Sequence, residues 1–294
     1  MSSNIKEILT HSRGGRIILG ESERTGCDGG RHMRNPVMFV SISVLVFSTA
    51  LFLEGMASQE ELVLYLSFDD GPGVVKDRSP DPADVEIKGT LKWVEGKIGQ
   101  AVEFDGTNKN YIEVSHAGKL EGMEALTIEA WVKPYSPDDL PRGIVSKRKG
   151  WGQPGDVYNL FSWKGKKIYG RVNAQADLQI ISSTVLEDKK WYHIAYVFDG
   201  KAPKEERQKL YINGKLEAVK WHPHESVNLG EQQLWIGILN EGYAQAWKGV
   251  IDEVRIWSRA LNEEEIKAAM EGRLLPVKPQ GKLATAWGKV KLCR

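Results

Sequence analysis

The sequence predicts an all-β fold, a two-sheet antiparallel β-sandwich with one short C-terminal helix. From Leu62 onward, short apolar or alternating runs are separated by glycine, proline, asparagine and aspartate, which is typical of strands joined by turns. Asn213-Gly214 lies between two such runs and favours the type I′ turn of a hairpin. About a dozen runs with a single helical pattern indicate two sheets packed face to face.

The predicted strands follow one another along the chain. They span residues 62–68, 101–104, 111–114, 126–135, 143–147, 157–163, 168–173, 178–182, 191–198, 209–212, 215–219, 234–238 and 250–257. Residues 126–133 alternate apolar and polar side chains, so this strand is predicted to be half buried. Residues 72–89 predict a turn-rich loop.

The last strand is predicted to run directly into the helix. By alternation, Val250, Asp252, Val254 and Ile256 should share one face of this strand. Asn262 is the predicted N-cap, Glu265 is its capping-box partner, and Gly272 ends the helix.

The first 60 residues fall outside the predicted sandwich. Residues 1–32 are polar and rich in glycine and arginine, and we interpret them as an unstructured prefix before a true start at Met33. Residues 33–57 contain an uncharged apolar run, 37–53, followed by the small residues Gly55 and Ala57. This pattern predicts a secretory signal peptide, with an uncleaved membrane anchor as the alternative.

Charge and cysteine content exclude several functions for the remaining chain. Residues 1–57 carry six basic and five acidic residues, and subtraction from totals of 40 and 39 leaves 34 of each. A net charge of zero gives no electrostatic footprint for nucleic acid or an anionic membrane. Cys27 and Cys293 lie outside the predicted sandwich, so its core must be stable without a disulfide. Residues 273–294 contain six basic and no acidic residues and predict a solvated basic tail, with binding to anionic polymer or lipid as the alternative.

Six segments, in order, resemble one known family. Leu62-Val-Leu-Tyr-Leu-Ser-Phe-Asp-Asp-Gly71, Phe104-Asp-Gly106 and the stretches 126–134, 191–200 and 250–266 are similar to the laminin G-like branch of the concanavalin A-like lectin/glucanase superfamily. The sixth segment is the hairpin at 210–216. The resemblance covers residues 60–272. It implies a jelly-roll sandwich that binds a ligand rather than catalysing a reaction.

The resemblance also implies a calcium ion near the chain ends or the loop rim. Asp69, Asp105 and Asp252 are the candidate ligands, since carboxylate oxygens suit calcium and the first and last strands of such folds commonly pair. The alternative for Asp69 and Asp105 is an Asx turn before a glycine.

Aromatic residues provide candidate carbohydrate platforms. These candidates are Trp151, Tyr158, Trp221, Tyr243 and Trp247. An indole near a turn can stack on the apolar face of a sugar, although a ring folded over a sheet edge is the alternative for each. Trp131, Trp191, Trp235 and Trp257 lie within predicted strands and are predicted to be core residues.

Catalytic motifs are absent from the sequence. The nearest approach to the carboxylate array of a glucanase is Glu103-Phe-Asp105, whose third position is Thr107. His222-Pro-His224 has too few ligands for a zinc site and predicts a loop.

The sequence therefore predicts an exported, non-catalytic domain that binds carbohydrate or an extracellular protein. Its predicted location is secreted, periplasmic or on the cell surface, with membrane contact only through an uncleaved N-terminal segment. A polysaccharide-cleaving enzyme of the same superfold and a cell-envelope scaffold without a small ligand are the alternatives.

Overall fold

Two antiparallel sheets form the described part of the protein. In a computed structural model, the described residues are 61–148, 156–173, 176–240 and 245–273, and all belong to one compact unit, 53–294. The strands are β1 (Leu62–Leu66), β2 (Val85–Lys88), β3 (Lys92–Glu95), β4 (Gln100–Asp105), β5 (Tyr111–Val114), β6 (Ala125–Pro134), β7 (Arg142–Lys147), β8 (Tyr158–Trp163), β9 (Lys167–Val172), β10 (Ile180–Val185), β11 (Tyr192–Asp199), β12 (Gln208–Ile212), β13 (Lys215–Lys220), β14 (Leu234–Ile236) and β15 (Lys248–Trp257), and the helix is α1 (Glu263–Met270).

The strands divide into two sheets whose neighbours are all antiparallel. Sheet A has the order β13-β12-β11-β6-β15-β4-β3, and β1 also pairs with β15. Sheet B has the order β10-β9-β8-β7-β14-β5-β2. The predicted two-sheet sandwich with one short helix is confirmed, and the first and last strands pair as the resemblance implied.

Two short strands, β2 and β3, were not predicted. β2 lies inside the region predicted as a loop, and it pairs with β5 at the end of sheet B. β3 pairs with β4 at the end of sheet A. Both have only four residues and are at most half buried, so neither carries the apolar run that marks a central strand.

The main core lies between the sheets, where their inward side chains meet. The alternation predicted for β6 is confirmed, because Leu126, Ile128, Ala130 and Val132 all belong to this core. On sheet B, Ile112, Leu160, Val172 and Ile236 face the same core. Their neighbours in sequence therefore point to the outer face of sheet B.

A β-bulge in β15 corrects the predicted facing of the last strand. Asp252 pairs with Trp131, but the next partners on β6 are Arg255 and Glu129, so β15 has one extra residue. Glu253 has a positive φ of 53° at this position. The bulge shifts the alternation of β15. Ile251, Val254 and Ile256 therefore belong to the main core, whereas Val250 and Asp252 do not.

Helix α1 covers part of the outer face of sheet A. Ile266 and Leu261 pack against Tyr65, Tyr211 and Trp257 in a second apolar cluster. The predicted capping box is confirmed: the Asn262 side chain accepts from the Glu265 amide at 3.0 Å, and the Glu265 carboxylate accepts from the Asn262 amide at 2.9 Å. Gly272, with φ of 72°, follows the helix.

Residues 1–60 and 274–294 lie outside the described residues, so the signal peptide, the membrane anchor and the role of the basic tail stay predictions. Among the residues that the structure describes, we find no helix with the length and apolar character needed to span a membrane.

Loss of the cap should weaken the fold measurably. Asn262→Ala removes the acceptor for the Glu265 amide, and such a change typically lowers the free energy of unfolding by about 1 kcal/mol. Urea unfolding followed by circular dichroism measures this. Glu264→Ala, at an exposed position of the same turn, is the control and should leave the midpoint nearly unchanged. Equal midpoints for Asn262→Ala and the wild type would contradict the proposed role of the cap.

Candidate ligand-binding surface

A row of polar and aromatic side chains crosses the outer face of sheet B. It consists of Glu113, Trp235, Ser146, Asn159 and Arg171, which lie on β5, β14, β7, β8 and β9 and are successive register partners. We call these five residues the outer row. Since adjacent strands lie about 4.8 Å apart, the outer row spans roughly 19 Å across the sheet.

Hydrogen bonds fix most of the outer row. Trp235 Nε1 donates to Glu113 Oε2 at 3.2 Å, and Ser146 Oγ donates to Asn159 Oδ1 at 2.8 Å. Asp156 adds a carboxylate, because it accepts from Asn159 Nδ2 at 3.0 Å and from Arg171 Nη2 at 2.7 Å. The side chains are thus held in defined positions, and those of Trp235, Ser146 and Asn159 are almost completely buried.

Charge is concentrated at the β9 end of the outer row. The Asp156 carboxylate lies between Arg171 and Arg148, whose Nε is 3.7 Å from Asp156 Oδ1, and all three side chains are buried. Burial lowers the pKa of Arg148 to about 10, although the Asp156 charge opposes this effect. Burial likewise lowers the pKa of Arg171. Asp156 is therefore essential to the charge balance of this end of the sheet.

A second, aromatic row lies beside the outer row on the same face. Phe161 and Tyr169 are register partners, and their rings stack with centroids 5.4 Å apart. Trp163 packs against both, is half buried, and has Lys164 Nζ 4.5 Å from its ring centroid. Sequence reasoning missed these rings, although alternation along β8 and β9 could have indicated their common face.

Two predicted platform residues, Trp151 and Tyr243, lie outside the described residues. They belong to the segments 149–155 and 241–244. The residues on either side of both segments are described and buried, namely Arg148, Asp156, Asn240 and Gln245. Ser146 of the outer row donates to the carbonyl of Leu239, the residue before Asn240.

Two other predicted platforms, Tyr158 and Trp247, are corrected by the structure. Both side chains belong to the main core and are almost completely buried. Tyr158 begins β8 on the same side as Leu160, so alternation directs its ring inward. Neither ring presents a face to a ligand.

Trp221 is the predicted platform that the structure does expose. Half of its surface is accessible, and among the described residues no other tryptophan, tyrosine or phenylalanine is classed as exposed. Its backbone is fixed, because its carbonyl accepts from Gln208 Nε2 at 3.2 Å, while Gln208 Oε1 accepts from Tyr196 OH at 2.8 Å. Trp221 is thus an accessible indole on a rigid base at the end of β13.

The structure does not assemble the predicted calcium ligands. Asp69 Oδ1 accepts from the Gln100 amide at 2.7 Å, and Asp252 Oδ2 accepts from the amides of Lys97 and Ile98 at 2.8 and 3.0 Å. These two carboxylates therefore meet at one turn, between β3 and β4. Asp105 is at the opposite end of β4, roughly 17 Å away along the strand.

Asp105 has its own local partners. Its side chain accepts from the Thr107 amide at 2.9 Å and from Asn110 Nδ2 at 2.7 Å, which is the Asx-turn alternative. Within the described ranges, no group of three or more histidine, cysteine, aspartate or glutamate residues could hold a metal. The trio does not fit calcium, and calcium binding elsewhere stays a prediction.

Asp252 is the most perturbed carboxylate of the turn. It is fully buried, and its Oδ1 atom has no hydrogen-bond partner within the part of the chain that the structure describes. Burial raises its pKa to about 7; the charges of Glu253 and Asp69 act in the same direction, and the amides of Ile98 and Lys97 oppose them. Its two hydrogen bonds with backbone amides show that Asp252 stabilises the turn between β3 and β4.

The nearest approach to a catalytic array is also engaged in local contacts. Glu103 Oε1 is 3.4 Å from Lys92 Nζ, and Glu103 Oε2 accepts from Tyr135 OH at 3.3 Å. Asp105, two residues later, is held in its Asx turn. Both carboxylates therefore have local partners.

The predicted loop at His222 and His224 is confirmed by the structure, which places both residues after the end of β13. His222 is buried with its ring 5.2 Å from that of Phe198, in an edge-to-face contact. The pKa of His222 is lowered to about 4, chiefly by burial; the charges of His224 and Arg207 act in the same direction, and backbone hydrogen bonds oppose them.

Comparison with known proteins places the fold in a family. Residues 105–267, more than half of the chain, match the laminin G model that is described as the concanavalin A-like lectin/glucanases superfamily. The chain belongs to this superfamily. The laminin G-like resemblance of its sequence is thereby confirmed. No curated protein matches the chain.

Several solved structures share this laminin G-like fold. The binding domain of Paraclostridial Mosquitocidal Protein 1 has a TM-score of 0.58 and 16% identity, covering 73% of this chain and 52% of that one. Domain 4 of AbnA, an extracellular arabinanase from Geobacillus stearothermophilus in complex with arabinotriose, has a TM-score of 0.54 and 20% identity, covering 71% and 98%.

The third similar structure is the ligand binding domain of botulinum neurotoxin serotype D in complex with N-acetylneuraminic acid. It has a TM-score of 0.56 and 17% identity, covering 74% of this chain and 52% of that one. The chain thus spans about half the length of the two toxin domains. At these identities, the similarity shows the fold. The neighbours are binding domains, and two of them are described with a bound saccharide.

The buried histidine predicts a specific pH dependence. An unfolded His222 takes up a proton near its ordinary pKa of 6.5, whereas the folded one does so only near 4. Stability from the neutral ring is therefore complete above pH 6.5 and is lost as the pH falls from 6.5 to 4. Urea midpoints measured across this range should fall less steeply for His222→Gln than for the wild type.

The exposed neighbour supplies the matched control for this test. His224→Gln removes only a smaller charge effect on the pKa of His222, so its midpoints should fall nearly as steeply as those of the wild type. Identical slopes for His222→Gln and the wild type would show that His222 does not contribute.

Proposed function

We propose that the chain is an exported, non-catalytic laminin G-like domain that binds carbohydrate. The observation that carries this proposal is the half-exposed indole of Trp221 on a backbone fixed by a buried glutamine. Soluble domains usually cover most of a tryptophan side chain, so an exposed ring on a rigid base indicates a contact surface. An indole supplies a flat apolar face on which the C–H face of a sugar ring stacks.

Polar residues adjoin Trp221 in the sequence. Lys220 Nζ donates to the carbonyl of the exposed Asp177 at 2.6 Å. Arg207 donates to the carbonyl of His222 at 3.3 Å and forms an ion pair with the exposed Glu225 at 3.1 Å. Hydrogen-bonding groups beside an aromatic face are what saccharide hydroxyls require.

The similar structures support a binding role, with a saccharide as the proposed ligand and a protein as the alternative, since another similar binding domain is described in complex with rat synaptotagmin II. Arabinotriose and N-acetylneuraminic acid are the ligands described for two of them. A polysaccharide-cleaving enzyme is not favoured. Glu103 and Asp105 are the residues that most resemble a catalytic carboxylate array, and they accept hydrogen bonds from Tyr135 and Thr107. Release of reducing ends from β-glucan or alginate by the purified protein would contradict the non-catalytic proposal.

The binding proposal predicts the effect of one substitution. After a glycan array identifies a retained saccharide, Trp221→Ala should weaken its binding several-fold or more. An offset ring contact contributes roughly 0.5–1.5 kcal/mol beyond area burial. Isothermal titration calorimetry measures the affinity, and the melting temperature should change little because the side chain is half exposed.

Two control variants separate a loss of ligand contact from a loss of stability. Leu229→Ala removes an apolar side chain that is 72% exposed and should leave the affinity unchanged. Trp257→Ala removes a buried indole and should destabilise the fold, typically by about 3–5 kcal/mol. Unchanged affinity in Trp221→Ala, with a loss in Trp151→Ala, would move the platform to residues 149–155.

Export predicts where the mature chain begins. Because small residues at Gly55 and Ala57 follow the apolar run, amino-terminal sequencing of protein recovered outside the cytoplasm should begin near Ser58. Recovery of the intact apolar segment in the membrane fraction would support the anchor and contradict the signal peptide.

A further inference from the structure

One edge of the sandwich carries a strand with an unusual composition. β10 is the end strand of sheet B, and its sequence Ile-Ile-Ser-Ser-Thr-Val contains no charge, proline or glycine. Four of these six residues are β-branched. An end strand leaves one row of backbone groups without a ladder partner, and short uncharged segments of this composition readily add further strands. This composition suits β10 to pairing with another chain, and a register shift against β9 between Ile181 and Val185 is the irregularity that interrupts its ladder.

Side chains of β13 occupy backbone groups of β10 and of the segment just before it. Glu217 Oε2 accepts from the amides of Ser183 and Thr184, both at 2.9 Å. Lys220 Nζ donates to the carbonyls of Asp177 and Gln179, at 2.6 and 3.0 Å. A carboxylate thus caps two donors in the irregular part of β10, and an ammonium caps two acceptors just before the strand.

A β-bulge is what gives Glu217 this position. Leu210 pairs with Ala218, but Tyr211 pairs with Leu216, so Glu217 is the extra residue of β13. A bulge re-aims its side chain out of the regular alternation of the strand. Because β13 is the end strand of sheet A and contacts β10, the re-aimed carboxylate reaches across the edge.

We propose that Glu217 and Lys220 act as edge guards, which keep β10 from pairing with β10 of a second copy of this chain. A second copy is the favoured occupant, because antiparallel pairing of identical strands is self-complementary about a two-fold axis. β10 contains no charge to repel its copy. Ile181 and Val185 are 40% and 48% exposed and supply apolar contacts beside the edge.

The test removes both guards without changing the net charge. In the full chain, Glu217→Ala with Lys220→Ala should form dimers and larger species that increase with concentration, whereas the wild type stays monomeric. Sedimentation velocity over a concentration series measures this. Glu263→Ala with Lys267→Ala removes an exposed ion pair of 2.5 Å on α1 and should stay monomeric. A double edge variant that is monomeric at every concentration would overturn the proposal.

A suppressor variant separates edge pairing from simple unfolding. Ile181→Lys places a charge on β10, and a charged side chain on an edge strand opposes pairing. Added to the double edge variant, it should restore the monomer with a cooperative melting curve. Association that Ile181→Lys does not reverse would arise from unfolded chain and would contradict the proposal.

Discussion

The buried guanidinium of Arg255 is the interaction on which the rest of the sandwich depends. It forms an ion pair with Glu253 of the bulge, lies 3.7 Å from Glu129 on β6, and stacks over the ring of Tyr65 on β1. It also donates to the carbonyl of Ala269 in α1 at 3.4 Å. One side chain thus joins three strands and the helix, and its removal would leave the buried carboxylates of Glu253 and Glu129 without this cation.

The contacts around Arg255 lie at the centre of sheet A and stabilise the pairing of its strands. β15 pairs with β6 along one side and with β4 and then β1 along the other. The bulge lies where β4 gives way to β1, and Asp252 there holds the turn between β3 and β4. Sheet A is thereby fixed, and sheet B, packed on it through the main core, can carry polar and aromatic rows on its outer face.

Local patterns in the sequence predicted much of this fold, and non-local pairings account for what they missed. Alternation along β6 and the capping box at Asn262 depend on near neighbours, and both are confirmed. The bulge at Glu253 shifts the alternation of β15, which a strict period of two cannot predict. Tyr158 and Trp247 were predicted as platforms from local context, but burial depends on which sheet face each strand turns to the core.

The central claim is that a saccharide binds at the indole that this scaffold exposes at the end of β13. Hydrogen exchange with and without a saccharide retained on a glycan array tests it most directly, because the measurement locates the ligand without a substitution. We expect added protection in residues 219–225, with little change in the buried strands of sheet A. Protection confined to other loops, with none in 219–225, would contradict the account.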